Sequence, residues 1–191
     1  MMKTMTSYTY TQILTLSLFV ILLAACTQSG DELKTHSDLN APSIDLQEAV
    51  LTGNLEAVKL HIEAGTNLNR KENMTGATPL ITATTFDKSE IAKVLIDAGA
   101  DLSIKNNDGS TALHVAAFFC RVEIVQMLMD ADADKSIRNN YGVTARESIM
   151  GPYDQVKPIY EMMNAQLQPF GLVLDLEEIE KTRPVVAMML Q

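Results

Sequence analysis

Apolar positions between residues 44 and 150 form a pattern that is itself periodic. Ile91, Val94 and Leu95 make an i, i+3, i+4 stripe, and Ile124, Met127 and Leu128 repeat it 33 residues later. Each stripe predicts a short helix that buries one face. Ahead of each stripe lies a second apolar set, Leu80, Ala83 and Thr84, then Leu113, Ala116 and Ala117. These predict a shorter first helix whose small side chains let neighbouring helices approach closely. The spacing of 33 also links Gly76, Gly109 and Gly142, and Thr78, Thr111 and Thr144. The glycines suit a tight turn with positive φ. The threonines can cap the helix that follows, and Pro79 suits a first helical position. Gly65 and Gly99 suit a left-handed helix end, a position that Asp132 takes in the next copy. An earlier copy, Asp45 to Asn69, runs one residue out of step, with the extra residue in 70–75. A later copy starts at Gly142 and decays after Met150. No copy can bury its apolar face alone, so the copies must stack.

The run Gly109-Ser-Thr-Ala-Leu-His-Val-Ala-Ala, preceded by Gly76-Ala-Thr-Pro-Leu-Ile-Thr-Ala, resembles the ankyrin repeat in period and signature. The resemblance implies an all-α solenoid of about four stacked helix-turn-helix repeats with short β-hairpin loops, over residues 44–168. Asp45 to Asn69 is then the N-terminal cap. Pro152 and Pro158 predict an irregular last helix pair. Residues 169–191 are expected to cap the stack as a helix or a strand, since their period decides for neither. The apolar end Val185 to Leu190 is expected to be packed or to bind something.

The first residues carry a different pattern. Ile13 to Leu23 is apolar except for Thr15 and Ser17, and Lys3 is the only charge before Asp31. The segment is short for a membrane span and fits an export signal. It ends in Leu23-Ala24-Ala25-Cys26, which resembles the lipobox of bacterial lipoprotein signal peptides. An ordinary signal peptide or an uncleaved anchor would use the same apolar run; the small pair before a cysteine is what sets the lipoprotein reading apart. The resemblance implies a signal peptide over 1–25, lipidation of Cys26, and a periplasmic protein anchored to a membrane. Thr27, where an Asp would favour inner-membrane retention, leans the expectation to the outer membrane. Residues 26–43 are polar and free of aromatics, and are read as the lipidated Cys with a flexible tether.

Composition narrows the function. With 15 basic and 24 acidic side chains, the chain carries a formal charge of −9. Holding nucleic-acid phosphate needs an excess of Lys and Arg, so no nucleic-acid partner is expected. Two cysteines ninety-four residues apart make neither a disulfide framework nor a zinc cluster. A 47% apolar fraction with 20% charged residues argues against wholesale disorder.

The polar residues form no catalytic constellation. His114 holds the His position of the ankyrin signature, where the family uses it to tie loop backbone. His61 is expected at a helix surface, and His36 lies in the tether; three separated histidines predict no metal site. Cys120 replaces the usual glycine after a first helix and is the one residue that would support a redox or enzymatic alternative. No cofactor and no small-molecule substrate are expected.

The ankyrin resemblance implies a protein partner on the concave side, at loop tips and first-helix ends. Carried across, this marks Met74, Thr75, Ala77, Thr85 and Phe86; Asn107, Asp108, Ser110, Phe118 and Phe119; and Asn140, Tyr141 and Val143. Phe86 and Phe119, one period apart, are expected side by side as exposed anchors; inward packing is the competing expectation, weighted equally for Phe118. The expected function is a non-enzymatic interaction module, either an adaptor or protector of a periplasmic enzyme or an immunity protein against a toxin. A structural envelope protein is the third class.

Overall fold

The computed structural model describes residues 42–191. The expected signal segment, Cys26 and the expected tether as far as residue 41 lie outside the described residues. The described chain is helical throughout, with no strand among the described residues. Its helices are α1 (Leu46–Thr52), α2 (Leu55–Glu63), α3 (Pro79–Thr85), α4 (Ser89–Asp97), α5 (Ala112–Phe118), α6 (Val122–Asp130), α7 (Tyr153–Leu167) and α8 (Leu176–Met189). Two short 3-10 turns, Glu147–Ile149 and Gln168–Phe170, flank α7.

Helices α1, α3 and α5 stack as an inner row and α2, α4 and α6 as an outer row. Each inner helix starts where the 33-residue period puts its cap. Asp45 Oδ1 accepts from Gln47 N at 2.8 Å and Thr78 Oγ1 from Ile81 N at 3.3 Å. The outer row is built from equivalent side chains: Ala57, Ile91 and Ile124 in one file, Val58, Ala92 and Val125 in the next, all buried. One continuous core runs through the stack from Leu46 to Leu190.

The register slip of the first copy has a structural cause. Between α1 and α2 stand only Gly53 and Asn54, whereas Phe86, Asp87 and Lys88 join α3 to α4, and Phe119, Cys120 and Arg121 join α5 to α6. The first copy lacks one residue at this turn and regains it in the following loop. Each turn holds one residue in the left-handed region: Gly53 (φ 75°), Asp87 (φ 54°) and Cys120 (φ 53°). The slip also places His61 in the file of Leu95 and Leu128. It is buried, not at the surface, and bridges Ile44 O (2.8 Å, from Nε2) and Thr66 Oγ1 (3.0 Å, at Nδ1).

The fourth repeat is completed from a distance. Its inner element shrinks to the Glu147–Ile149 turn, which packs on α5, and its outer helix is α8, which packs on α6. Ile149, Val186, Ala187 and Leu190 join the main core. Arg146 Nε donates to Ala187 O at 3.1 Å, and Lys135 Nζ donates to Gln191 O, fastening the C-terminal turn. Residues 169–191 therefore hold an integral helix of the stack. Of the apolar end, Val186, Ala187 and Leu190 are buried while Val185 and Met188 stay exposed.

Residues 150–175 form an insertion between these two halves. Its helix α7 runs unbroken over 15 residues, contrary to the interruption expected from the prolines, while the fourth helix pair itself is irregular. Pro152 stands at the N-cap, and Pro158 sits on the exposed face, where the carbonyl it leaves unpaired meets water.

Candidate protein-binding site

Three loops project from the inner row, each closed by a hairpin-like backbone bond: Glu72 N to Ala77 O (2.9 Å), Asn106 N to Ser110 O (2.9 Å) and Asn139 N to Val143 O (3.0 Å). These fingers take the place of the expected β-hairpins without reaching strand geometry. In the second and third, Asn106 Oδ1 and Asn139 Oδ1 each accept two backbone N–H groups, which fixes the tip. In the first, which is one residue longer, the Glu72 carboxylate does this work for the N–H groups of Met74, Thr75 and Ala77. The fingers are stitched to one another by Asn107 and Asn140, whose amides donate to Met74 O (3.0 Å) and Asn107 O (2.9 Å).

His114 locks the third finger to α5, the inner helix of the third repeat. Thr111 N–H donates to its Nδ1 at 3.3 Å, which leaves the proton on Nε2, donated to Val143 O at 3.2 Å. Burial, with a smaller contribution from the nearby charge of Lys105, holds its pKa below the ordinary imidazole value.

The sequence that builds these stacked helix pairs and fingers matches the family described as Ankyrin repeats (3 copies) over residues 46–139. Residues 46–139 are an ankyrin-repeat array. Two curated relatives are similar over part of the chain. The chain is 45% identical over 63 residues to Protein phosphatase 1 regulatory subunit 27 of Mus musculus, and 44% identical over 63 residues to that of Homo sapiens. The matched stretch covers 33% of this chain and 40% of each relative, so the chain spans well under two thirds of the relatives it matches.

The candidate residues on the fingers and helix ends fall into two groups. Met74 and Tyr141 stand out at the finger tips, 86% and 76% exposed. Thr75, Asn107, Asp108 and Asn140 are exposed beside them, and Ser110 and Val143 are half-buried. Ala77 is corrected to a buried position: its side chain is covered and its carbonyl accepts from Gln47 Nε2 at 2.9 Å. Thr85 is half-buried, its hydroxyl bonded back to Ile81 O at 2.9 Å.

The aromatic anchors are corrected as a set. Phe119 is buried at 3% exposure, and Phe86 and Phe118 are half-buried in the same cluster. The cover is the chain's own insertion. Tyr160 of α7 stacks on Phe118 with centroids 4.5 Å apart, and its hydroxyl donates to Phe118 O at 2.6 Å. Phe119 meets Phe118 edge-on at 5.2 Å, and the Arg121 guanidinium lies 5.8 Å from its ring while pairing with Asp87 at 3.1 Å. Leu172, Leu174 and Ile179 close the cluster. Inward packing wins because a 26-residue insertion supplies the apolar partner that the repeats alone would lack.

One functional-looking group escaped the sequence reading. Arg183 of α8 is buried, and its guanidinium donates to Tyr160 Oη (3.0 Å), Ile149 O (2.8 Å) and Gly151 O (3.0 Å). It ties the insertion to both halves of the fourth repeat. Nothing in the local spacing marks it, because all three acceptors are distant in sequence.

Cys120 sits behind this cover. Burial pushes its pKa up to about 11, against a smaller opposing influence from Arg183 and Arg121, and its Sγ points at Ile179 O, 3.7 Å away. A thiol held protonated and covered is a poor nucleophile. Among the described residues no group of His, Cys, Asp and Glu side chains could hold a metal ion, and no helix is long and apolar enough to cross a membrane. An open cleft of 470 Å³ along the turns between inner and outer helices is lined by Asp87, Lys88, Glu90 and Glu123 among others, charges of both signs facing water.

Proposed function

We propose that this chain is a lipid-tethered protein-interaction module of the bacterial envelope, which holds a protein partner on its row of fingers. The observation that carries the reading is the pair of large apolar side chains, Met74 and Tyr141, left bare at the tips of rigidly stitched loops. A bare Met and Tyr on a fixed scaffold lose little conformational freedom on binding and bring a large contact area. The ankyrin array supports an interaction role in general, and the relatives' name, a phosphatase regulatory subunit, points the same way for those proteins.

The tether rests on the sequence alone. Leu23-Ala24-Ala25-Cys26 after the apolar run supports export and lipidation at Cys26, on the periplasmic side of the outer membrane. In that setting the partner is a periplasmic enzyme that the module protects or positions, or a toxin that it neutralises.

Two experiments test this. Met74→Ala with Tyr141→Ala should abolish capture of the partner from envelope extracts while leaving the melting temperature within 1–2 °C, about what exposed positions allow. Unchanged capture would refute the finger-row reading. Cys26→Ser should abolish incorporation of a labelled fatty acid and release the protein from membranes; continued labelling would refute lipidation at that residue.

A further inference from the structure

The stitch between fingers repeats with the period and then stops. Asn107 gives its backbone N–H to Thr75 O (2.8 Å) and its side-chain amide to Met74 O (3.0 Å). Asn140 gives the same pair to Asp108 O (3.0 Å) and Asn107 O (2.9 Å). One period on, the equivalent acceptors are Tyr141 O and Asn140 O. No described residue donates to either, and both residues are exposed.

The glycines give an independent sign of the same site. A Cβ at Gly76 would stand 2.4 Å from Asn107 Oδ1, and one at Gly109 would stand 2.4 Å from Asn140 Oδ1. These glycines leave room for the asparagine of the next finger. Gly142 has the same left-handed φ, 75°, but a Cβ there meets nothing within 4 Å. The third finger thus repeats the seat without an occupant from the described chain.

We propose that Asn140 O, Tyr141 O and the bare Cα of Gly142 form a docking seat for an asparagine-bearing loop of a partner protein, which joins the row as a further finger. The two occupied seats define the chemistry. The occupant supplies a backbone N–H and the carboxamide of the same residue, which an Asp cannot do, since its carboxylate has no donor. The exposed Tyr141 ring then offers the partner an apolar flank. A second copy of this chain carries an exposed Asn on its first finger, at Asn73. Docking it head to tail would place its first helix pair where α8 and the Glu147–Ile149 turn already stand, so the occupant is a loop of a different protein. The inference rests on the finger row being the binding face and adds the chemistry of the contact.

The test uses a cyclic peptide carrying the protein's own 104–111 finger sequence, titrated into the isotope-labelled full chain and followed by NMR. Amide shifts should concentrate at Asn140–Val143, weaken at least tenfold when the peptide's Asn107 equivalent is replaced by Ala, and vanish in Gly142→Ala. Gly99→Ala, with φ of 82° and equally open space, is the strain-matched control and should respond like the unmodified protein. Equal response to the Asn and Ala peptides, or an unaltered response in Gly142→Ala, overturns the seat. So do concentration-dependent shifts without peptide that disappear in Asn73→Ala, which would assign it to a second copy. Partner capture that needs Met74 and Tyr141 but ignores Gly142→Ala would overturn the seat alone and leave the finger-row reading standing.

Discussion

Replacing Tyr160 probes how the insertion covers the aromatic cluster. The side chain is fully buried, stacks on Phe118 at 4.5 Å, donates to Phe118 O at 2.6 Å and accepts from Arg183 at 3.0 Å. Tyr160→Phe keeps the ring and removes the hydroxyl. It leaves one carbonyl and one guanidinium N–H short of a partner, a loss of about 1–3 kcal/mol. Tyr160→Ala removes the ring as well. Deleting a buried aromatic destabilises by about 3–5 kcal/mol, and the stacked geometry contributes about 0.5–1.5 kcal/mol of that kind of interaction. Equilibrium urea unfolding followed by far-UV circular dichroism measures both variants. In a repeat stack the loss falls first on the neighbouring unit. Tyr160→Ala should therefore also speed amide exchange across residues 150–175 before the first three repeats respond. A midpoint for Tyr160→Ala within error of the unmodified protein would refute the cover, as would Phe and Ala variants of equal stability.

Three further outcomes follow from particular residues. Asp132 ends α6 with φ of 59° and is exposed, so Asp132→Gly should raise stability by about 1 kcal/mol in the same urea experiment. The Cys120 thiol, pushed up to about 11 from an ordinary 9.0, should react with a disulfide reagent at pH 8 about a hundredfold more slowly in the folded protein than in urea, by thiolate fraction alone. The pKa of His114 is lowered on folding, so the unfolded chain binds the proton more readily. Its contribution is complete above the ordinary value of 6.5 and is lost as pH falls through that value toward the folded one; thermal melts should show this loss, and His114→Gln should remove it. Asp101 and Glu147, held below the ordinary range by hydrogen bonds from Ser103 and from Thr144 N–H and Arg138, lose their contribution only at lower pH.

The repeats were legible because stacking imposes the same burial on equivalent positions. Leu80 and Leu113, Ala83 and Ala116, and Ile91 and Ile124 keep their types because each fills the same place in the next layer. His61 is expected at a helix surface but is buried. The one-residue slip at Gly53-Asn54 moves it into the file of Leu95 and Leu128. The fourth repeat resisted reading for a different reason. Its outer helix comes after a 26-residue insertion, so no local period connects Ile149 to Val186. The same insertion explains the reversal at Phe119. From the sequence, an aromatic at a first-helix end looks exposed to a partner; Tyr160, which stacks on the neighbouring Phe118, together with Leu172 and Leu174, supplies that cover within the chain. Met74 and Tyr141 stayed accessible because finger tips project beyond anything the insertion touches.

The most direct measurement is amide hydrogen exchange on the complex of this protein with its captured partner, compared with the protein alone. Protection concentrated on 72–77, 105–110 and above all 139–143 is the result expected of a finger-row interface. Protection confined to α7 or to the outer helices, with the fingers exchanging as freely as before, would contradict it.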